Sequence, residues 1–256
     1  MQQYMYGLIG YPLTHSFSQR YFSEKFEKEG YADHSYINFP IRSIDELEQV
    51  LVRNPELRGF NVTIPYKEQV IPFLDEIDEE AFRIGAVNTV HISDKGGRPF
   101  LKGFNTDIYG FRKSLGDWLV SCNVTLPKKA LVLGTGGASK AVVFALNQLN
   151  IIPHSVSRNK GDKVYKTYDE LDASDMASHL LIINTSPLGM FPDTATFPDI
   201  PYQFLSKDHL LYDLVYNPVQ TSFMRKGEEK GAKGHNGERM LYFQAEKAWE
   251  IWQDQQ

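Results

Sequence analysis

Lys67 and Asp107 are the residues in this chain best suited to moving a proton. The run Gly59-Phe-Asn-Val-Thr63-Ile-Pro-Tyr-Lys67 puts an ammonium just past a strand end, where Pro65 fixes the chain. The run Gly103-Phe-Asn-Thr-Asp107 puts a carboxylate at a similar strand-to-helix junction. Parallel sheets gather such junctions at their carboxyl edge, where ligands bind. A ketone undergoing reduction needs a proton donor beside its oxygen, and an adjacent Lys–Asp couple supplies one. Taken singly, each residue has an ordinary alternative: a surface lysine, or an aspartate capping a helix.

A second feature binds rather than reacts. Leu131-Val-Leu-Gly134-Thr135-Gly136-Gly137-Ala138-Ser139 follows a strand and opens a helix. Glycines let the backbone turn tightly and approach a pyrophosphate, whose charge then meets the free N–H groups of the helix start. A plain tight turn is the alternative, since Ser139 stands where a strict dinucleotide fingerprint has its third glycine. The next strand ends in Ser157-Arg158-Asn159-Lys160, where the fingerprint places its ribose-reading residue. An acid there would accept a bond from a 2′-hydroxyl; Arg158, with Lys160 close by, would instead attract a 2′-phosphate. NADP is therefore expected rather than NAD, against the alternative of a solvated basic strand end.

Other chemistries fit poorly. A P-loop needs Gly where Ser139 stands and Ser or Thr where Ala141 stands. One cysteine, Cys122, and seven scattered histidines offer no zinc spacing, so no metal is expected. Two Tyr-x-x-x-Lys pairs, Tyr21/Lys25 and Tyr109/Lys113, precede the glycine loop, whereas a short-chain dehydrogenase pair follows it.

The elements that position these residues alternate short β-branched runs with helical patterns, the mark of an α/β chain with parallel strands. Tyr6–Gly10, Ser35–Phe39 and Gly59–Ile64 read as strands, and Ser18–Glu29 as a helix. Ser43-Ile-Asp-Glu46 is a capping box, and Asp94-Lys-Gly-Gly97 joins 87–92 to 99–104 as a hairpin. A helix over 107–120 leads to strands at 128–133, 151–157, 179–184 and 209–216, with a helix over 139–149. A broad apolar face over 237–253 predicts a final helix that packs back onto the first half. The expected division is 1–106 with 237–256, and 107–236. The 256 residues suit two modest domains, each with its own core. A net charge of −5 without basic blocks argues against nucleic acid. No apolar run reaches the ~20 residues of a membrane span. The start shows no basic flank or cleavage site, and a lone cysteine suits a reducing cytoplasm.

Read together, the motifs resemble the shikimate dehydrogenase family nearly end to end. They are Gly10-Tyr-Pro-Leu-Thr-His-Ser16-Phe-Ser18, Asn61-Val-Thr-Ile-Pro-Tyr-Lys67, Gly85-Ala-Val-Asn88-Thr and Asn105-Thr-Asp107 in the first half. The second half adds Gly134-Thr-Gly-Gly-Ala138, Asn184-Thr-Ser-Pro-Leu-Gly-Met190 and Asp213-Leu-Val-Tyr216-Asn-Pro. The resemblance implies a substrate domain with a mostly parallel sheet beside a Rossmann domain that binds NADP. It implies reversible reduction of 3-dehydroshikimate to shikimate in aromatic amino-acid and chorismate biosynthesis. By the same resemblance Lys67 and Asp107 are the catalytic couple, and Ser16 and Ser18 hold the substrate carboxylate. Thr63, Asn88, Asp107, Tyr216 and Gln244 bond the ring hydroxyls and carboxylate, while Leu214 and Gly237 lie near the nicotinamide. Capping of the Ser18–Glu29 helix competes as the role of Ser16 and Ser18, and packing as that of Tyr216 and Gln244. A small-molecule substrate, no nucleic acid or membrane, and a monomer or homodimer complete the expectation.

The chain departs from the family in two places. Gln19 stands where proline usually follows the second serine, and Gly237-Glu238-Arg239 puts two charges where small or apolar residues are usual. Two other readings compete: a quinate/shikimate dehydrogenase using NAD, and a non-catalytic cofactor sensor. The sensor has no need of a Lys–Asp couple.

Overall fold

The computed structural model describes residues 3–13 and 16–254. Thr14 and His15 of the first motif, and the outermost residues of both expected domain ends, lie outside them. The chain divides into two compact units, 1–106 with 245–256, and 107–244.

The first unit is built on a six-stranded sheet. Its strands are β1 (Tyr4–Gly10), β2 (His34–Pro40), β3 (Leu57–Val62), β4 (Glu76–Ile77), β5 (Thr89–Asp94) and β6 (Pro99–Phe104). β1 pairs in parallel with β2 and β3. β5 then turns the direction twice, antiparallel to both β3 and β6, while the short β4 lies parallel to β6. The carboxyl ends of β1, β3 and β6 and the start of β5 therefore share one edge, from which Ser16, Thr63, Lys67, Asn88 and Thr106 emerge. The helices are α1 (Phe17–Glu29), α2 (Leu47–Arg53) and α3 (Glu79–Ile84). The Ser43 capping box closes a single 3-10 turn before α2, rather than opening α2 itself. One sheet face buries Ile9, Leu57, Phe60, Val62, Val87 and Val90 with Leu47 of α2. The other buries an aromatic cluster of Tyr6, Phe22 and Tyr36 with Ala245, Ala248, Trp249 and Trp252. Those last four recur at helical spacing on the C-terminal helix, whose end returns to this unit.

The second unit holds a wholly parallel six-stranded sheet. Its strands are β7 (Lys129–Leu133), β8 (Ile152–Ser157), β9 (Lys166–Thr167), β10 (Leu181–Asn184), β11 (Leu210–Asp213) and β12 (Lys233–His235), in the order β12-β11-β10-β7-β8-β9. Its helices are α4 (Asp107–Ser121), α5 (Gly137–Gln148), α6 (Ala173–Ser178) and α7 (Ser222–Glu228), and α8 (Glu238–Asp254) begins in it. β7, β10 and β11 read as continuous apolar runs because the sheet is covered on both faces. Among the described residues no helix is long and apolar enough to cross a membrane. None of their His, Cys, Asp and Glu clusters could hold a metal ion.

Candidate functional site

In the first unit, Ser16 is the N-cap of α1: its Oγ accepts the Gln19 N–H at 3.1 Å. Proline at that position would have no such donor, so Gln19 fixes the Ser16 oxygen. The hydroxyl hydrogen is left to donate, and capping and anion binding are compatible on one side chain. Ser18 lies inside the helix, half-buried, where its hydroxyl bonds the Tyr36 phenol. Burial pushes that phenol far above the ordinary tyrosine value, so Tyr36 is a neutral donor. It gives its proton to Asn61 Oδ1 at 2.8 Å.

From Asn61 the bonds run on through the edge of the sheet. Asn61 Nδ2 donates to Thr89 Oγ1 at 3.1 Å and to the Asn88 carbonyl at 3.3 Å. Asn88 is 2% exposed, and its Oδ1 accepts the Thr106 N–H at 2.7 Å while its Nδ2 donates to Thr106 Oγ1 at 3.0 Å. Thr106 directly precedes Asp107, so this network sets the start of α4, where the helix dipole favours a carboxylate. Asp107 is itself 5% exposed. The Lys67 loop is tied in through its backbone: the Val87 N–H donates to the Lys67 carbonyl at 2.7 Å. Thr63 is held by its N–H to the Ile9 carbonyl at 2.9 Å, and its own carbonyl accepts the Tyr66 N–H at 2.9 Å.

In the second unit, β7 runs into Gly134, whose φ is +118°. A Cβ there would meet Thr185 Oγ1 at 2.8 Å, so the position needs glycine on both counts. Gly136 is the N-cap of α5, with no side chain capping the helix and no acid in its first turn. Thr135 and Gly136 are exposed, and Gly137 and Ala138 form the first turn. The amides of that turn are an open cradle for phosphate, which is the test a dinucleotide must pass. Ser139, in place of the third glycine, closes the loop by donating Oγ–H to the Gly134 carbonyl at 2.8 Å.

Ser157 ends β8, and Arg158 and Asn159 stand exposed on the turn beyond it. Among the described residues Arg158 has no carboxylate partner. Lys160 differs from the sequence reading of a second free cation. It pairs with Glu170 at 2.5 Å and holds that carboxyl down to about 2.

Leu214 follows β11, with its N–H on the Asn184 carbonyl at 2.9 Å. A Cβ on Gly237 would meet the Leu214 carbonyl oxygen at 2.1 Å, so only glycine allows the two segments to touch. Tyr216, half-buried, lies two residues on. Gln244 of α8 lies against α4 at Gly110, one helical turn from Asp107, where an added Cβ would meet the Gln244 Cβ at 3.0 Å. The charged departures point outward. Glu238 is exposed in the first turn of α8, its N–H on Asn236 Oδ1 at 3.2 Å. Arg239 reaches Asp117 at 3.5 Å and stacks over Phe243 at 5.1 Å.

The structure thus joins Ser18, Asn88 and the residue before Asp107 in one network, and gathers Gly134, Leu214 and Gly237 on one sheet edge. Tyr36, Asn61 and Asp213 are not among the site residues that the sequence suggests. Asn61 and Asp213 stand inside quoted motifs, whereas no local signal marks Tyr36.

Residues 8–90 match the family described as shikimate dehydrogenase substrate binding domain. The shikimate dehydrogenase (NADP(+)) of Methanococcus maripaludis strain C7 is 38% identical over 261 residues, covering 96% of this chain and 90% of the relative. The chain belongs to the shikimate dehydrogenase family. Within that family, the solved enzyme of Thermus thermophilus, in complex with NADP(H) and shikimate, superimposes with a TM-score of 0.82 at 30% identity, covering 98% of this chain and 93% of that one. A quinate dehydrogenase from Corynebacterium glutamicum, in complex with NAD, gives a TM-score of 0.83 at 25% identity with coverage of 98% and 93%.

Proposed function

We propose that this chain catalyses the reversible, NADP-linked reduction of 3-dehydroshikimate to shikimate in the cytoplasm, on the way to chorismate and the aromatic amino acids. The observation that carries this reading is that a member of this family keeps both Lys67 and Asp107, with an open phosphate cradle at Gly136 and an exposed Arg158 that has no carboxylate partner among the described residues. Residues 1–106 with 237–256 are assigned the substrate and 107–236 NADP, although residues 237–244 are compact with the second unit and the return to the first begins at Ala245. When bound, NADP supplies the two-electron redox change. Gly134, Thr135, Gly136, Gly137 and Ala138 take its pyrophosphate on backbone amides. Ser157, Arg158 and Asn159 take the 2′-phosphate end, and Leu214 and Gly237 border the nicotinamide.

Lys67 delivers the proton that turns the ketone oxygen into a hydroxyl, and in oxidation takes it back. Asp107 is the other member of the catalytic couple and bonds the neighbouring ring hydroxyl. Ser16 donates to the substrate carboxylate, its hydrogen sharpened by the bond its oxygen already accepts, and Ser18 turns its single hydrogen from the Tyr36 oxygen to the carboxylate when substrate binds. Thr63, Asn88, Tyr216 and Gln244 complete the polar contacts with the ring. The working form is a monomer or a homodimer.

Initial rates, read from the near-ultraviolet absorbance of reduced cofactor, test the reading with shikimate and quinate against NADP and NAD. Shikimate with NADP should turn over fastest. Faster turnover of quinate with NAD would transfer the assignment to quinate oxidation, and binding of NADP without turnover of either acid would mark a sensor.

A further inference from the structure

β10 and β11 end side by side at Asn184 and Asp213, and the chain leaves the sheet at both points into the loops that border the phosphate cradle. Asp213 is wholly buried at that edge, and among the described residues none of the bonds to its carboxylate comes from a cation. Burial pushes its pKa up to about 6, so the fold retains an expensive group. Its partners give the reason. Oδ1 accepts from the Val215 N–H at 3.0 Å and from Asn184 Nδ2 at 2.9 Å, and Oδ2 accepts from Thr221 Oγ1 at 2.6 Å. Only an acid accepts on both branches; an amide would turn an N–H toward the Thr221 hydroxyl, which would then have to accept that bond rather than donate it.

Each partner belongs to a different segment. Asn184 shapes the loop after β10, its Oδ1 accepting from Ser186 N–H at 3.0 Å and Ser186 Oγ at 2.6 Å. The next residue, Thr185, bonds the Leu133 carbonyl at 2.8 Å and packs on Gly134. Val215 carries the loop after β11, and its carbonyl accepts the Gly237 N–H at 3.3 Å. Thr221 caps α7 by accepting the Met224 N–H at 3.3 Å. One buried carboxylate therefore ties together the loops that carry Gly134, Leu214 and Gly237.

We propose that Asp213 is a positioning residue for the cofactor, locking the Asn184, Leu214–Val215 and Gly237 segments into one rigid wall. The inference rests on the reading that these segments bind NADP. Asp213 touches no reacting atom; it acts through the loops it holds.

The test is Asp213→Asn, with Thr221→Val as a milder variant that keeps the carboxylate but removes both the Thr221 bond to it and the cap of α7. Direct NADP titration by calorimetry, amide hydrogen exchange and thermal melting are measured together. D213N should weaken NADP binding by about tenfold or more, with T221V intermediate. Exchange should quicken at the Leu214, Val215 and Gly237 amides while the body of α5 keeps its protection. Restoring the hydroxyl alone, in Thr221→Ser, should recover wild-type affinity. Unchanged NADP affinity in folded D213N or T221V overturns the proposal, as does faster exchange spread evenly over the whole second unit. Should D213N fail to fold, the T221V and T221S pair decides by the same criteria. Wild-type protein that binds no NADP overturns the functional reading and this proposal with it; wild-type binding with unaltered variants overturns this proposal alone.

Discussion

Arg158→Ala is expected to erase most of the preference for NADP over NAD. The guanidinium is exposed on the turn after β8, with no carboxylate partner among the described residues to neutralise it. Hydrogen bonds to charged groups are worth roughly 1.5–3 kcal/mol each when water is excluded. Exposed ion pairs return only about 0.2–1 kcal/mol. A bidentate grip on a solvated 2′-phosphate falls between these limits, at about 1–2 kcal/mol, or roughly a fivefold to thirtyfold change in dissociation constant. Lys160 supplies an internal control. Its ammonium is engaged with Glu170, so Lys160→Ala should alter NADP affinity only about twofold, while Glu170→Gln should free the lysine and strengthen binding slightly. Calorimetric titration of each variant with NADP and NAD, at low and raised ionic strength, reads these values directly. Salt should weaken NADP binding more than NAD binding in the wild type and should lose that distinction in Arg158→Ala. An equal loss of both cofactors in Arg158→Ala, or a larger loss in Lys160→Ala, would show that Arg158 does not read the 2′-phosphate.

Tyr36→Phe keeps the ring packing but leaves Asn61 Oδ1 and the Ser18 hydroxyl without their shared partner. It should raise the KM for shikimate several-fold with a smaller change in kcat, and lower the melting temperature, an unpaired buried polar group costing about 1–3 kcal/mol. Gly237→Ala should weaken NADP binding and destabilise the fold by about 1–3 kcal/mol, because its Cβ would strike the Leu214 carbonyl; unchanged affinity and melting would remove that contact from consideration. Acidification should lower the melting temperature of the second unit. Burial depresses His154, His179 and His235, the last to about 4, so their contribution is full above the unfolded value near 6.5 and is lost as pH falls through the folded values. Asp213, raised to about 6, works the other way, but one acid opposes three histidines. His235→Gln should flatten the slope between about pH 4 and 6.5, and an unaltered slope would dismiss its share.

Features encoded by residues close in the chain are legible in the sequence. The glycine loop, the Ser43 capping box and the return of the last helix each depend on residues a few positions apart. β4, β9 and β12 escape such a reading because runs of two or three residues carry no period, and pairing with a longer neighbour makes them strands. Lys160 reads as a free cation for a related reason: β8 pairs with β9, and that pairing brings Glu170 within reach of it. Tyr36 and Asp213 are opaque because their partners are set by strand register. Tyr36 meets Asn61 across β1, and Asp213 meets Asn184 through the β10–β11 pairing. Gln19 and Arg239 read as departures that could disturb binding. In the structure one supplies a capping N–H and the other pairs with Asp117 on α4.

The central chemistry assigned to this chain is the reduction of 3-dehydroshikimate by NADPH with Lys67 as the proton donor. Product formation by wild type and Lys67→Ala, followed by nuclear magnetic resonance of the acid alongside consumption of NADPH, decides it. The wild type should make one shikimate per NADPH, and Lys67→Ala should lose about 10²–10⁴-fold in kcat with little change in KM. Absence of shikimate in the wild-type reaction, or a variant with intact kcat and a raised KM, would contradict the assignment.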